Sequence, residues 1–297
     1  MKHKFIQSII DFLRGKYKKQ INWKDEKNYE KNIVKAYNLY MDDTLDLGEP
    51  QTFSQKLQWL RIFDNSPMKT KLADKYLVRD WVKKTIGEEY LIPLLGVYDN
   101  FDEINFEKLP NSFVIQCNHG CGYNIIVKDK AELDIEDAKN KINNWMTENY
   151  AYKYGEWHYK DIKRKIIITQ YIKELSGDIL DYKFFCFNGK PHYILLCTNN
   201  SKGVLKNSFF NMELDNMNFN YNGELINFPV EKPQNFELMC ELAEKLCDGF
   251  KHVRVDFYNI NGKIYFDKME FTSNAGYFKF KPEKWNSKLG QLLHIYN

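Results

Sequence analysis

The sequence has little of what would place it in a specialised class. It contains neither an internal repeat nor a low-complexity segment, and its N-terminal apolar run is too short to cross a bilayer. The 43 Lys and Arg residues against 40 Asp and Glu leave a net charge of only +3, which gives no overall field to attract nucleic acid. What is abundant is apolar and aromatic: 43% of the residues are hydrophobic and 16% aromatic. We therefore expect a globular chain with a large β component and no nucleic-acid partner.

Cysteine is scarce and scattered. The six cysteines stand at positions 117, 121, 186, 197, 240 and 247, and no signal-peptide pattern precedes them. This distribution predicts reduced thiols and a cytoplasmic protein. Cys117 and Cys121 flank His119, but no second ligand pair at a recognised spacing follows, so buried thiols beside a turn are favoured over a zinc site.

Residues 1–20 combine apolar and basic side chains with the spacing of an amphipathic helix. Such a helix either packs on the body of the protein or rests on an anionic membrane surface. The first interpretation is favoured because the apolar face is only about three turns long. The second would make the protein peripheral at the inner face of a membrane.

The pattern of apolar residues divides the chain into a helical first third and a mainly β remainder. Helical spacing predicts helices over residues 28–47, 53–63 and 68–84, with Thr52 as the N-cap of the second. After residue 90, short β-rich runs alternate with Gly-containing turns, and further helices are predicted at 134–149 and 236–247. Residues 198–233, rich in Asn and aromatics, predict a long irregular excursion.

A turn at residues 118–122 joins two predicted strands, 112–118 and 125–128. Asn118, Gly120 and Gly122 are candidates for a backbone that closes around an anion, because glycine allows close approach and left-handed geometry. His119 is equally compatible with donating to a phosphate or acting as an acid, and with simply bonding the local backbone.

The last predicted hairpin places charged side chains on one face. Arg254 and Asp256 are two residues apart on one strand, and Lys268 and Glu270 on its partner, so each pair shares a face. If the two faces match, the four side chains suit either a site for Mg²⁺ and phosphates or a cross-strand ladder of ion pairs.

Several blocks, in this order, resemble the TupA-like branch of the ATP-grasp proteins. The blocks are Lys71-x-x-Asp74-Lys75-Tyr76-x-Val78-Arg79, Tyr90-Leu91-Ile92-Pro93, Phe113-Val114-Ile115 with Asn118-His119-Gly120-x-Gly122, Asp181-Tyr182-Lys183-Phe184 with Phe187-Asn188-Gly189, Arg254-Val255-Asp256-x-Tyr258, and Tyr265-Phe266 ahead of Phe271-Thr272. The resemblance covers roughly residues 50–290. These proteins accompany surface-polysaccharide and teichuronopeptide biosynthesis and are often labelled glycosyltransferases.

The resemblance implies an α+β ATP-grasp fold, in which two α/β lobes with antiparallel sheets enclose a nucleotide cleft. A helical region at 1–88 would precede an N-lobe at 89–172 and a C-lobe at 173–297. The resemblance also implies that ATP is the cofactor. The implied chemistry converts a carboxylate into an acyl phosphate, from which the acyl group passes to an amine. Phosphoryl transfer depends mainly on positioning and on stabilising the charge of the phosphoryl oxygens.

Three positions depart from what the resemblance implies. Gln116 stands where a phosphate-binding lysine is expected, Gln170 where a glutamate is usual, and Lys268 where a metal-binding glutamate is usual. We therefore predict that Asp256 and Lys268 form a direct ion pair and that the usual Mg²⁺ site is lost or displaced. Glu270 is then the remaining acid that could restore a ligand.

The expected site follows from these matches and departures. Predicted catalytic residues are Arg254, His119 and Lys183; predicted nucleotide-binding residues are Gln116, Asn118, Gly120, Gly122, Gln170 and Lys183; predicted metal ligands are Asp256 and Glu270.

Three functional hypotheses share this fold. The first is ligation of an amine to a sugar carboxylate on a sugar or lipid-linked glycan intermediate during surface-polysaccharide assembly. The second is a group transferase, resembling a glycosyltransferase, that uses a different phosphorylated donor. The third is a non-catalytic scaffold that holds other enzymes at the membrane through residues 1–20.

Overall fold

A computed structural model describes residues 21–172, 180–199 and 205–296. The amphipathic segment predicted at residues 1–20, with its membrane-contact interpretation, lies outside the described residues. Within them, no helix is both long enough and apolar enough to cross a membrane.

The first third of the described chain is helical, as predicted, but its third helix is divided. The helices are α1 (Tyr29–Met41), α2 (Phe53–Phe63), α3 (Pro67–Ala73) and α4 (Val78–Thr85). Thr52 caps α2 in a capping box with Gln55, which confirms the predicted N-cap.

The continuous helix predicted over residues 68–84 is wrong because Asp74 interrupts it. The Asp74 carboxylate accepts hydrogen bonds from the backbone N–H groups of Tyr76, at 2.8 Å, and Leu77, at 3.2 Å. Aspartate readily bonds nearby backbone in this way, which competes with the helical hydrogen bonds. The chain therefore turns at residues 74–77, and this turn brings Lys75 to the first sheet.

The first sheet contains β1 (Leu94–Tyr98), β2 (Phe113–Cys117), β3 (Asn124–Val127) and β4 (Ile166–Gln170), in the order β1-β4-β2-β3. All its strand pairs are antiparallel. Helix α5 (Ile135–Thr147) packs its apolar side on one face of this sheet, and α6 (Ala151–Tyr154) follows it. The other face carries Val114, Gln116, Ile167 and Thr169, by the alternation of side chains along β2 and β4.

The second sheet contains β5 (Asp181–Phe187), β6 (Lys190–Asn199), β7 (Leu205–Phe210), β8 (His252–Ile260) and β9 (Lys263–Glu270), in the order β7-β6-β5-β8-β9. Both predicted Asn/Gly hairpin turns are confirmed, and their Asn and Gly residues adopt positive φ angles. The irregular excursion predicted at 198–233 is wrong in part. It contains β7, whose Phe209 and Phe210 both become buried on packing beside β6.

The two faces of the second sheet are covered differently. Helix α7 (Phe236–Cys247) packs on one face over an apolar core that includes Phe184, Val255 and Met269. On the opposite face, near β6 and β7, aromatic residues 278 and 280 pack with α2 and with α8 (Lys284–Leu292). The part of this face formed by β5, β8 and β9 carries charged side chains instead. These charged side chains form the core of the candidate site.

Candidate functional site

The strand register brings the predicted charged residues together. Arg254 lies opposite Glu270 and Asp256 opposite Lys268 across β8 and β9, while Lys183 of β5 lies opposite Asp256 on the other side. Five side chains from three adjacent strands therefore share one face. The expectation that the charged faces of the last hairpin match is confirmed.

Arg254 is the centre of this cluster. Its Nε and Nη2 donate to the two carboxylate oxygens of Asp256, each at 2.7 Å. Nη2 also donates to Glu270 Oε2 at 2.5 Å, and Nη1 donates to Ser273 Oγ at 2.9 Å. Arg254 is only 4% exposed and Asp256 is completely buried, so water does not compete for these bonds.

The predicted ion pair between Asp256 and Lys268 is wrong. In the described chain Asp256 is paired with Arg254, whereas Lys268 Nζ lies 3.3 Å from Glu270 Oε2. Asp256 and Lys268 face each other across two strands, which allows a contact between them but does not require one. The planar guanidinium of Arg254, two residues from Asp256, can bond both oxygens of its carboxylate. A bulge between Asp256 and Phe257 also leaves Asp267 without an opposing residue.

The surrounding charges act strongly on these groups. Burial by itself would raise the pKa of Glu270, but Arg254 and Lys268 outweigh it and hold that pKa at about 2. Burial disfavours the charged form of Lys268, yet Glu270 keeps the pKa of this lysine above its usual value. Both groups are therefore ionised at neutral pH. Lys183 pairs with Asp181 on its own strand and completes the row of charges.

The arrangement of the acids does not fit a divalent cation as it stands. Mg²⁺ is bound through oxygens, but both Asp256 oxygens and Glu270 Oε2 already accept from Arg254. Among residues 21–172, 180–199 and 205–296, no group of three or more His, Cys, Asp or Glu side chains is placed to hold a metal. A cation at this place would have to displace Arg254 or Lys268.

The predicted nucleotide-binding residues on the first sheet lie on both of its faces. Gln116 Nε2 donates to Thr169 Oγ1 at 3.5 Å, on the face away from α5. Gln170 follows Thr169 and therefore lies on the opposite face by alternation, at an exposed strand end. The geometry thus groups Gln116 with Thr169 rather than with Gln170.

The turn at 118–122 is held by its own polar groups. Asn118 Nδ2 donates to the carbonyl of Lys163 at 3.0 Å, and Asn118 Oδ1 accepts from the backbone N–H of Lys165 at 2.7 Å. Gly120 has no room for a side chain, because a Cβ there would lie 2.7 Å from the rings of Tyr123 and Tyr150. Gly122 has a φ of +78°, and a Cβ there would meet nothing within 4 Å.

His119 bonds the backbone of α5 through one of its ring nitrogens. Its Nε2 lies 3.0 Å from the carbonyl of Trp145, which requires that this nitrogen carry the proton. Burial lowers the pKa of His119 to about 4, so the ring is neutral at pH 7. The remaining nitrogen, Nδ1, is then an acceptor only. These contacts favour the interpretation in which His119 bonds the local backbone.

Lys75 stands in the first of the resembling blocks but was not among the predicted site residues, although it lies at this turn. Its Nζ donates to the carbonyl of Cys117 at 3.0 Å and to that of Gly120. Its backbone N–H donates to the carbonyl of Asn118 at 3.2 Å. The feature of the sequence that could have identified it is Asp74, the residue before it. An aspartate can start a turn within a stretch whose apolar spacing otherwise predicts one continuous helix.

Glu156 is a second buried ionisable group that the sequence pattern did not reveal. It is 6% exposed, and its Oε1 accepts a hydrogen bond from Thr272 Oγ1 at 2.5 Å, which joins the segment after α6 to the segment after β9. Burial raises the pKa of Glu156 to about 7, although Thr272 and Arg61 act to lower it. This carboxyl group therefore gains its charge near neutral pH.

We expect stability to respond to pH through Glu156. The folded state keeps a proton that the unfolded state, with an ordinary pKa of 4.5, releases between pH 4.5 and 7. The free energy of unfolding of the wild type, relative to Glu156→Gln, should therefore be highest below pH 4.5 and fall by at most about 3 kcal/mol as the pH rises through 7. Urea denaturation of both proteins across this range measures the difference. Glu241→Gln, at an exposed position of α7, is the control. A difference in the free energy of unfolding between wild type and Glu156→Gln that stays constant with pH would contradict the expectation.

Several solved structures of other proteins are similar to this one. The structure is similar to a D-alanine–D-alanine ligase from Bacillus anthracis complexed with ATP, at 17% identity and a TM-score of 0.40, over 76% of this chain and 58% of that chain. It is similar to the ATP-grasp ligase PsnB complexed with a precursor variant, Mg and ADP, at 9% identity and a TM-score of 0.43, over 80% of this chain and 64% of that one. A D-alanine–D-alanine ligase from Helicobacter pylori gives 14% identity and a TM-score of 0.41, over 83% and 68%.

The chain thus spans less than two thirds of the Bacillus anthracis and PsnB proteins. No curated protein sequence matches it. The model of the TupA-like ATP-grasp family matches residues 55–294, which run from α2 past the end of α8. Because this match includes both sheets and the charged cluster, the chain has the α+β ATP-grasp fold and belongs to the TupA-like ATP-grasp family.

Proposed function

We propose that this chain is an ATP-dependent ligase of cell-surface polysaccharide assembly. It joins an amine to a sugar carboxylate, by way of an acyl phosphate, on a sugar or lipid-linked glycan intermediate. The proposal includes a cytoplasmic location and contact of residues 1–20 with an anionic membrane surface. Family membership supports the ATP-dependent chemistry, and the charged cluster supports a place for phosphate groups.

The observation that carries the proposal is the row of cations on the second sheet. Lys183, Arg254 and Lys268 lie on adjacent strands and face the same side. Lys75 bonds the turn of the first sheet and directly follows α3, which contacts β9 of the second sheet. The segment that carries Lys75 therefore contacts both sheets. Cations arranged in this way can stabilise the charge that develops on phosphoryl oxygens.

The residues divide by what they are free to do. Arg254 holds Asp256 and Glu270 in place, and we propose that it orients the cluster. Lys183 and Lys268 have donors left for phosphate oxygens, because an ammonium has three. On the first sheet, we propose that Gln116 donates a hydrogen bond to a phosphate and that Gly120 and Gly122 let the backbone approach it. We propose that Asn118 and His119 hold that turn, since their side chains bond nearby backbone groups.

The proposal is tested by ATP consumption and by calorimetric binding. The wild type should bind ATP, and it should release phosphate when a uronic-acid acceptor and a suitable amine are both present. Acceptors and amines are varied in a panel, with each omitted in turn as the control. If the protein bound no ATP and released no phosphate with any combination in the panel, the result would count against an ATP-dependent enzyme.

A group transferase with another phosphorylated donor is the second candidate. The engagement of Asp256 and Glu270 by Arg254 and Lys268 favours it, since a donor bound without a metal ion suits such a site. Thermal-shift comparison of nucleotide sugars with ATP separates the two. Stabilisation by ATP alone would exclude the transferase, and stabilisation by a nucleotide sugar alone would exclude the ligase.

A further inference from the structure

The hydrogen bond between Glu156 and Thr272 links the segment between α6 and β4 to the segment that follows β9. Thr272 Oγ1 donates to Glu156 Oε1 at 2.5 Å. The next residue, Ser273, is completely buried, and its Oγ accepts a hydrogen bond from Arg254 Nη1 at 2.9 Å. A short path of two side-chain hydrogen bonds and one peptide bond therefore connects the carboxyl group of Glu156 with the guanidinium of Arg254.

The backbone after β9 depends on contacts of this kind. Asn274 and Ala275 have φ angles of +52° and +49°, in the left-handed region that residues with a Cβ seldom adopt. Such conformations persist only where the surrounding structure holds them. Ser273 lies directly before these two residues and directly after Thr272. Its hydroxyl group can meet Arg254 only while the segment is held on both sides.

Arg61 of α2 holds the two segments together at a second point. Its Nη1 donates to the carbonyl of Ala275 at 2.8 Å. Its Nη2 donates to the carbonyls of Tyr154, at 2.6 Å, and Gly155, at 2.8 Å, which are the two residues before Glu156. The backbone that carries Glu156 is therefore fixed by the same guanidinium that fixes Ala275. This leaves the carboxyl group of Glu156 well placed to hold the other end of the segment.

The position of Arg254 determines the shape of the charged cluster, because it bonds both Asp256 and Glu270. We infer that Glu156 is a positioning residue that, by holding Thr272, keeps the guanidinium of Arg254 in place. The effect on Arg254 is a property of the protein alone. The further effect on a bound nucleotide rests on the proposed ATP-dependent function.

A purely structural role for Glu156 is the alternative. A residue that only stabilises the fold changes the Tm and leaves the surroundings of Arg254 as they are. A positioning residue changes those surroundings when its hydrogen bond is removed. A conservative replacement that keeps the bond then restores them.

The first measurement follows the side chain of Arg254 without any ligand. The chain contains five arginines, so their Nε–Hε signals in a ¹⁵N–¹H NMR spectrum can be assigned by single replacements with lysine. Glu156→Leu and Thr272→Val each remove the linking bond. We expect both to shift the Arg254 signal and to speed its exchange with solvent by at least about tenfold. Glu156→Gln keeps an acceptor and Thr272→Ser keeps the hydroxyl, so their exchange rates should stay within about twofold of wild type.

The second measurement compares affinities for ATP and adenosine by calorimetry. Glu156→Leu should lower ATP affinity by at least about fivefold, since the cluster that meets the phosphates is displaced, and adenosine affinity by less than about twofold. Glu156→Leu/Ser273→Ala should bind ATP within about twofold of Ser273→Ala alone, because both changes interrupt one path. Tyr37→Phe is the matched control. It removes the hydrogen bond from the Tyr37 hydroxyl to Asp43 Oδ2, at 2.9 Å, and should leave both affinities unchanged.

Three outcomes would overturn the inference. The first is an Arg254 signal in Glu156→Leu and Thr272→Val that matches wild type, and the second is an equal change in Glu156→Gln and Thr272→Ser. The third is a loss of ATP affinity in the double variant equal to the sum of the two single losses. Thr272→Val, which resembles threonine in shape, provides the comparison if Glu156→Leu does not fold. If the wild type binds no ATP, the proposed function fails, and the Arg254 signal still decides the inference.

Discussion

Replacing Arg254 with methionine is expected to lower the free energy of unfolding by about 3–5 kcal/mol at pH 7, because removal of one partner leaves buried charges uncompensated. The Asp256 carboxylate is completely buried and receives both of its ion-pair bonds from this guanidinium, and Glu270 receives one. Methionine fills similar space but offers no donor. Urea denaturation monitored by circular dichroism measures the loss.

Two comparisons show whether the loss comes from the buried charges. Lys279→Met removes the ion pair with Asp42, whose partners are both largely exposed, and should cost less than about 1 kcal/mol. Adding Asp256→Asn to Arg254→Met should recover part of the loss, because it removes a charge that the first change left unpaired. A loss below about 1 kcal/mol for Arg254→Met would show that the cluster contributes little to folding.

Where the fold is set by short-range chemistry, the sequence predicted it well. The Asn188–Gly189 and Asn261–Gly262 turns require positive φ angles, and alternation along the flanking strands then fixes which side chains share a face. The matching charged faces of the last hairpin followed from these two facts. The N-cap at Thr52 was similarly visible, since a hydroxyl followed three residues later by Gln forms a local signal.

Where the outcome depends on competition between partners, the sequence was insufficient. Asp256 faces Lys268 across the strands, yet it pairs with Arg254 on its own strand, because two coplanar donors suit a carboxylate better than one. Lys75 looked like part of a helix, although Asp74 turns the chain and sends the ammonium to β2. The burial of Glu156 arises from contacts with Thr272, more than a hundred residues away in sequence. No local pattern contains such information.

Lys268→Glu is expected to make the protein responsive to Mg²⁺, whereas the wild type is not. In the wild type, Lys268 neutralises Glu270 and a divalent cation would meet the ammonium. The substitution places a third carboxylate beside Glu270 and opposite Asp256, which supplies the oxygens that Mg²⁺ requires. Because a metal that binds only the folded state stabilises it, millimolar MgCl₂ should raise the Tm of the variant by about 5 °C.

The same substitution should also make the affinity for ATP depend on Mg²⁺. With the wild type, ATP affinity in excess EDTA and in excess MgCl₂ should agree within about twofold, because Lys268 already provides the positive charge at this place. With Lys268→Glu, removal of Mg²⁺ should lower ATP affinity by at least about tenfold, since the added carboxylate then repels the phosphates. Lys263→Glu makes the same charge change at an exposed position of β9 and should behave as the wild type does. If Mg²⁺ raised the Tm or the ATP affinity of the wild type, Arg254 or Lys268 would have to move aside for the metal ion. Lys268 would then not be the group that takes the place of the metal.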